Sequence, residues 1–230
     1  MTARGGHDQI ALPLGETAHP ASAAAQALMA FLLRLRASGV ADTAVLRALE
    51  TVPRELFAPH HFADLALREI ALPISCGQIM PEPLFVARAV EALAVEPGHS
   101  VLEIGSGSGY TTAILARQAQ RVVSVEYFEP LAIECAGRLA RLGIENAWIR
   151  HGDGVALAGE LGLFDRILIN AAVDGLPESI AAALAENGVI VLTRVDEAGR
   201  GYLAAIRDTP GRGLVESRVG ASRLGRLIAA

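Results

Sequence analysis

The sequence is poor in aromatic residues, in cysteine and in basic charge. Aromatic residues make up 4% of the 230 positions, and 25 acidic residues against 20 basic ones give a formal net charge of −5. Two cysteines, Cys76 and Cys135, are too few for a disulfide framework or a cysteine metal site, which favours reduced thiols in the cytoplasm. The acidic balance argues against a nucleic-acid partner.

Long apolar segments are lacking as well. An apolar stretch at residues 27–33 is too short to cross a bilayer and runs directly into Arg34 and Arg36. We therefore expect neither a membrane partner nor a targeting segment. Residues 1–20 show no periodicity and are expected to form a flexible arm, whereas residues 21–230 have the length of a single domain.

Strand and helix patterns alternate along most of the chain. The sequence predicts strands over residues 101–104, 122–126, 147–150, 164–170 and 189–195, and an antiparallel pair over 202–207 and 214–219. It predicts helices over residues 21–37, 42–50, 84–93, 111–119, 130–142 and 177–185, and irregular structure over 72–83. Such alternation gives an α/β fold with a parallel sheet and crossover helices. Trp148 and Phe164 are expected in its core.

A glycine-rich turn follows the strand predicted over residues 101–104. Gly105, Gly107 and Gly109 alternate there before a helix begins, so the backbone can approach a ligand and present free N–H groups to it. The next predicted strand ends at Glu126, where a carboxylate can accept both hydroxyls of a ribose. Together these features predict a site for a nucleoside-bearing cofactor.

The residue before the glycines indicates which cofactor is bound. Dinucleotide sites carry G-x-G-x-x-G and hold a pyrophosphate, whereas this chain has G-x-G-x-G preceded by Glu103. A carboxylate there would repel a pyrophosphate but would suit an ammonium group and a sulfonium. The motif therefore favours S-adenosylmethionine over NAD, with an NAD oxidoreductase and a glycine turn without ligand as alternatives.

Several segments resemble one enzyme family. The V-P-R-E-x-F segment at 52–57, L-P-I at 72–74, Gly77 with Gln78, Pro83 and residues 101–110 resemble the protein-L-isoaspartate O-methyltransferases, which are class I S-adenosylmethionine-dependent enzymes. The resemblance runs from about residue 34 to residue 195. It implies a Rossmann-like, doubly wound, mostly parallel seven-stranded sheet over 98–230, with an N-terminal helical extension over 21–97. It also implies methylation of L-isoaspartyl carboxylates in damaged proteins, with S-adenosyl-L-homocysteine as product.

The same resemblance implies a set of cofactor-binding residues. Glu103 and the glycine turn would line the methionine and ribose side, Glu126 would take the ribose hydroxyls, and Asp153 would face the adenine amino group. The implied set is Glu103, Gly105, Ser106, Gly107, Gly109, Tyr110, Glu126, Tyr127, Gly152, Asp153, Gly154 and Asn170. No metal is implied.

The substrate loop departs from the family pattern. The family has Gly-Gln-Thr-Ile-Ser, whereas this chain continues from Gln78 with Ile79, Met80 and Pro81. Both hydroxyls are lost, and Pro81 also lacks a backbone N–H. Gln78, Ile79 and Pro81 are the candidate catalytic positions, with Arg218 or Arg223 as cations for an acceptor carboxylate.

The altered loop leaves other functions open. The chain is expected to methylate a peptide or protein carboxylate, isoaspartyl in the favoured case, as a monomer or weak dimer. A divergent enzyme acting on another carboxylate and a non-catalytic S-adenosylmethionine-binding protein are the alternatives. A metal site at His60 and His61, a reactive Cys76 and a basic His151 receive less support than ordinary structural roles. Asn170 lacks the following prolines and aromatic residue that mark DNA amino-methyltransferases.

Overall fold

The computed structural model of the protein describes residues 20–228, so most of the arm expected over residues 1–20 lies outside the described part. The α-helices of this part are α1 Pro20–Ala37, α2 Thr43–Thr51, α3 Pro83–Leu93, α4 Tyr110–Ala116, α5 Glu129–Arg141, α6 Gly154–Ala158 and α7 Glu178–Ala182, and short 3-10 helices cover Arg54–Leu56, His60–Leu65 and Ser75–Gly77. The strands are β1 Leu72–Pro73, β2 Ile79–Met80, β3 Ser100–Ile104, β4 Arg121–Glu126, β5 Ala147–His151, β6 Phe164–Ala172, β7 Leu184–Val195, β8 Gly201–Thr209 and β9 Gly213–Ala221. No helix within this range is long and apolar enough to cross a membrane.

The main sheet has seven strands in the order β5-β4-β3-β6-β7-β8-β9. The five strands β5, β4, β3, β6 and β7 are parallel to one another. Strand β8 is antiparallel to β7, and β9 is antiparallel to β8. The predicted doubly wound, mostly parallel sheet with N-terminal helices is thereby confirmed. From β3 the chain passes to β4 on one side, and it later returns to the other side of β3 as β6. Ligands of open α/β sheets bind at the carboxyl ends of the strands where the strand order reverses in this way.

Each face of the sheet has its own hydrophobic cluster. Leu168 of β6 belongs to the cluster formed with helices α1 to α5, while its neighbours Ile167 and Ile169 belong to the cluster formed with α6 and α7. This alternation follows from the two-residue period of a strand. Phe164 is fully buried as predicted, but the prediction for Trp148 is wrong, because its side chain is 52% exposed on the edge strand β5.

Most differences between predicted and observed elements are at element ends. The helix predicted over 177–185 ends at Ala182, because the chain already enters β7 at Leu184. The segment predicted to be irregular contains the short antiparallel pair of β1 and β2, joined at Leu72 and Met80. The five-residue α6 was not predicted. Asp42 caps α2, with its carboxylate accepting from the first-turn N–H groups.

Candidate cofactor and acceptor site

The glycine turn connects β3 to α4 through three residues with positive φ. Gly105, Gly107 and Gly109 have φ values of 87°, 52° and 89°. Gly105 and Gly107 lie on the wall of a cleft at the carboxyl ends of β3, β4 and β6. Gly109 does not, because it packs against α5, where an added Cβ would lie 2.6 Å from the Sγ of Cys135. The first two glycines thus shape the cleft, and the third allows close helix packing.

Glu126 holds this turn from the end of β4. Its Oε2 accepts from the Gly107 N–H at 2.8 Å, and its Oε1 accepts from the Phe128 N–H at 3.0 Å. The side chain is 4% exposed and lies on the cleft wall. Oε1 has a second lone pair, and the second lone pair of Oε2 has only a long contact of 3.5 Å from the Ser106 hydroxyl, so the group can still accept from the hydroxyls of a ribose.

Glu103 lies beneath the turn and not on the cleft wall, which corrects the expectation of direct contact with an ammonium group. Its carboxylate is fully buried and accepts from Thr112 at 2.5 Å, Ser124 at 2.7 Å and the amide nitrogen of Asn170 at 2.8 Å. Loss of solvent raises the pKa of Glu103 to about 7 although these hydrogen bonds oppose the rise. The same amide nitrogen donates to the Gly105 carbonyl at 3.0 Å, so Glu103 positions the turn through Asn170.

Tyr110 also points away from the cleft, contrary to its expected place among the cofactor residues. It is 1% exposed and packs on Phe57, with 5.5 Å between ring centroids. As the first residue of α4 it faces the core beneath the N-terminal helices. Burial raises the pKa of its phenol.

The end of the cleft predicted to hold adenine is formed by residues after β4 and β5. Tyr127 and Gly154 line it, together with Ser106 from the glycine turn. Asp153 caps α6, its Oδ1 accepting from the Val155 N–H at 2.8 Å, and Gly152 precedes it at the end of β5. The structure therefore brings Gly154 to the wall and places Gly152 and Asp153 directly before it.

The substrate loop forms the opposite wall of the same cleft. Gln78, Ile79 and Pro81 all line it, and the Ile79 side chain is 42% exposed. Arg54 fixes this loop from below, donating to the Pro81 carbonyl at 2.7 Å and to the Ala66 carbonyl. Arg54 is 1% exposed, and burial lowers its pKa. The sequence motif that contains Arg54 suggested a family resemblance, but not this link to the loop.

A C-terminal segment, residues 224–228, completes the cleft and was missed by the sequence analysis. It lies beside the end of β6, where the Ala172 N–H donates to the Gly225 carbonyl at 2.7 Å and the Leu227 N–H donates to the Ala172 carbonyl at 2.8 Å. This pairing joins residues more than fifty positions apart, and no local pattern announces it. Arg226 extends from the segment and forms an ion pair with Asp174.

The two cations expected at the acceptor side are placed elsewhere. Arg218 stacks on the Tyr202 ring at 4.4 Å from its centroid. Arg223 lines a separate cleft on the other side of Ile79, together with Glu82. Between residues 20 and 228 no group of three or more His, Cys, Asp or Glu side chains is arranged to hold a metal.

Comparisons with known proteins agree with this geometry. The family model described as protein-L-isoaspartate (D-aspartate) O-methyltransferase matches residues 25–217. A protein-L-isoaspartate O-methyltransferase of Rhodopseudomonas palustris (strain BisA53) is 42% identical over 183 residues, covering 80% of this chain and 85% of the relative. One from Rhodospirillum rubrum is 41% identical over 189 residues, covering 82% and 86%.

A solved structure shows the same fold. A provisionally assigned protein-L-isoaspartate O-methyltransferase from Plasmodium falciparum, crystallised with S-adenosyl-L-homocysteine, has a TM-score of 0.73 and 25% identity over 86% of this chain and 97% of its own. Sheet order, glycine turn and the carboxylate ending β4 define a methyltransferase-type α/β protein. The chain belongs to the protein-L-isoaspartate (D-aspartate) O-methyltransferase family.

Proposed function

We propose that this protein is an S-adenosylmethionine-dependent O-methyltransferase that methylates L-isoaspartyl carboxylates in peptides and damaged proteins. One observation carries the proposal: a wall built by Glu126 and the glycine turn faces the substrate loop across a single cleft. Family membership and the names of the relatives support this donor and acceptor. The free cysteines support a cytoplasmic location, and the negative net charge supports a protein without a nucleic-acid partner. The proposed state of the protein is a monomer or weak dimer.

The residues of the cleft fit this cofactor. Glu126 can accept from the ribose hydroxyls, and Tyr127 and Gly154 line the part of the cleft where a base would lie. Three buried hydrogen bonds fix Glu103, which in turn fixes Asn170 against the Gly105 carbonyl. A satisfied polar network of this kind keeps a site rigid before its ligand arrives.

The chemistry makes modest demands on this chain. S-adenosylmethionine, when bound, supplies a methyl group on a positively charged sulfur. An acceptor carboxylate is already ionised at neutral pH, so no general base is required. His151, whose ring nitrogen lies 3.2 Å from the Tyr127 carbonyl, therefore needs no role as a base. The remaining tasks are to align the acceptor and to exclude water.

One observation favours a second candidate function. The exposed Ile79 and the adjacent Pro81 present an apolar surface where the family pattern has hydroxyls. Such a surface suits a carboxylate with an apolar neighbour, so the second candidate is methylation of a carboxylate other than isoaspartate.

A methylation assay tests the proposal. Tritiated methyl transfer is measured to a peptide with one L-isoaspartyl residue, with the aspartyl peptide as control and with calorimetry of S-adenosyl-L-homocysteine and NADH alongside. We expect a base-labile methyl ester on the isoaspartyl peptide alone. In calorimetry we expect S-adenosyl-L-homocysteine to bind and NADH not to bind. Nucleoside binding without transfer to this peptide would reject the isoaspartyl acceptor and favour the second candidate.

A further inference from the structure

Arg226 is a cation on the wall of the cleft. It lies in the C-terminal segment and lines the same cleft as Ile79 and Pro81. Residue 226 also lies beyond the range 25–217 that the family model matches. A feature of this chain outside the family match therefore lines the cleft in which this chain lacks the two hydroxyls of the family pattern.

The present partner of Arg226 is easily replaced. Its Nη1 lies 2.5 Å from the Asp174 Oδ2, but the two side chains are 71% and 70% exposed. Exposed ion pairs contribute little to folding, because water solvates both charges well when they separate. The group of Asp174 that binds the Arg226 guanidinium is a carboxylate. The group of the substrate that accepts the methyl is a carboxylate too.

Other cations near the loop are committed elsewhere. Arg54 is buried and donates to two carbonyls, Arg218 stacks on Tyr202, and Arg223 lines the neighbouring cleft. Among the described residues, Arg226 is the one Arg or Lys on the wall of the cofactor cleft. Without Arg226, an anionic acceptor in that cleft would meet the negative charge of Glu126 with no cation from the described part of the protein, and the sulfonium of the methyl donor would be the only positive charge near it.

We propose that Arg226 binds the carboxylate of the methyl acceptor by exchanging it for Asp174. The inference rests on the proposed function and deepens it. A guanidinium N–H holds one carboxylate oxygen and leaves the other free to face the methyl donor. The exposed guanidinium of Arg226 then binds the anion in place of the two hydroxyls that the substrate loop lacks.

Acceptor binding without turnover tests this exchange. The protein is saturated with S-adenosyl-L-homocysteine, and a capped peptide whose isoaspartyl carboxylate is its only carboxylate is titrated in a calorimeter. We expect Arg226→Ala to raise the Kd of the peptide about tenfold or more, and Arg226→Lys to raise it less. Asp174→Asn should lower the Kd severalfold, because the competing carboxylate is gone.

Two controls separate this role from a structural one. Arg200→Ala removes an exposed arginine paired with Asp196 at 3.0 Å outside the cleft, and should leave the peptide Kd unchanged. The affinity for S-adenosyl-L-homocysteine should be the same in all variants. Weaker peptide binding in both Asp174→Asn and Arg226→Ala would overturn the inference. It would show that the ion pair only holds the C-terminal segment in place. A loss confined to nucleoside affinity would overturn it as well.

Failure of the inference differs from failure of the proposed function. A wild-type protein that methylates the peptide while Arg226→Ala binds it equally well overturns the inference alone. A wild-type protein that neither binds nor methylates the peptide overturns the proposed function, and the inference with it.

Discussion

The two walls of the cleft are built in different ways. The donor wall, formed by the glycine turn and Glu126, rests on buried side chains whose hydrogen bonds are made within the fold. The acceptor wall, formed by the substrate loop and the C-terminal segment, presents the exposed side chains of Ile79 and Arg226. Its loop is attached by the buried Arg54 through the Pro81 backbone carbonyl, and its C-terminal segment by backbone pairing and a surface ion pair, so that its own side chains stay exposed.

This difference shows which wall can change without unfolding the protein. Buried polar networks lose stability when one member is removed, because the remaining partners are left unsatisfied. Exposed side chains contribute little to folding and can be replaced at small cost. The departure of this chain from the family pattern at Ile79 and Pro81 falls on the wall that tolerates it.

The largest effect is expected where the donor wall packs on α5. Gly109→Ala places a methyl group 2.6 Å from the Cys135 Sγ at a φ of 89°. Left-handed strain and overpacking each cost about 1–3 kcal/mol, so we expect a loss of about 4 kcal/mol in the free energy of unfolding, measured by denaturant titration. Gly211→Ala is the matched control, since its φ is 73° with nothing within 4 Å.

The control separates strain from collision. Gly211→Ala should cost only the strain, about 1 kcal/mol. Adding Cys135→Ala to Gly109→Ala should recover part of the loss, because the sulfur is removed. Equal losses at both glycines would mean that close packing of the turn on α5 contributes nothing.

The second effect is a pH dependence that comes from the buried Glu103. Its pKa rises from 4.5 to about 7 on folding, so between these values the folded protein keeps a proton that the unfolded chain releases. This contribution to stability is complete below pH 4.5 and is lost as the pH rises to about 7. We therefore expect Glu103→Gln to become more stable relative to wild type across this window, by up to about 1.4 kcal/mol per pH unit.

Denaturant titrations of both proteins at several pH values measure this difference. The amide fits the site, because the hydroxyls of Thr112 and Ser124 can accept as well as donate. Thr112→Val should extend the window upward, since the Thr112 hydrogen bond lowers the pKa of Glu103. A difference that does not vary with pH would show that Glu103 is charged throughout.

The third effect concerns Glu126 and the cofactor. Glu126→Ala removes the acceptor of the Gly107 and Phe128 N–H groups and the expected partner of the ribose. Hydrogen bonds to a charged group contribute about 1.5–3 kcal/mol, so calorimetry should show an affinity for S-adenosyl-L-homocysteine about ten- to a hundredfold lower. Glu129→Ala, on an exposed position of α5, should bind normally. Unchanged binding by Glu126→Ala would remove this carboxylate from the site.

The donor wall was also the wall that the sequence predicted better. Its turn and Glu126 are adjacent to strands whose apolar runs are plain in the sequence, so local patterns located them. The sequence could not show that Glu103 is covered by Thr112, Ser124 and Asn170, because the three come from separate elements. From the sequence alone, a carboxylate beside a glycine turn is easily taken for a cofactor-binding group, because the residues that cover it are not yet known.

The acceptor wall depends on long-range pairing and was predicted less completely. The loop was found through its resemblance to a family, and its lost hydroxyls were read directly from the sequence. The C-terminal segment reaches the cleft through its pairing with Ala172, and its sequence carries no periodic signal for that position. The sequence therefore does not indicate Arg226, and it predicts Arg218 or Arg223 as the cation instead.

The smallest effect is expected at the acceptor wall. Ile79→Thr combined with Pro81→Ser restores two hydroxyls and one N–H. Arg54 donates to the backbone carbonyl of residue 81, so the loop should keep its position in the variant. Water competes for the carboxylate at this exposed wall, so we expect a net contribution of only about 0.5–1.5 kcal/mol, which predicts a gain of roughly two- to tenfold in kcat/KM on the isoaspartyl peptide.

Two matched variants identify the source of that gain. Ile79→Val keeps an apolar branched side chain without a hydroxyl and should give no gain, whereas Pro81→Ala restores only the N–H and should give a part of it. A lower kcat/KM in the double variant would mean that the apolar loop is adapted to a different carboxylate. In that case the acceptor wall is adapted to another substrate, while the donor wall opposite it keeps its buried hydrogen bonds.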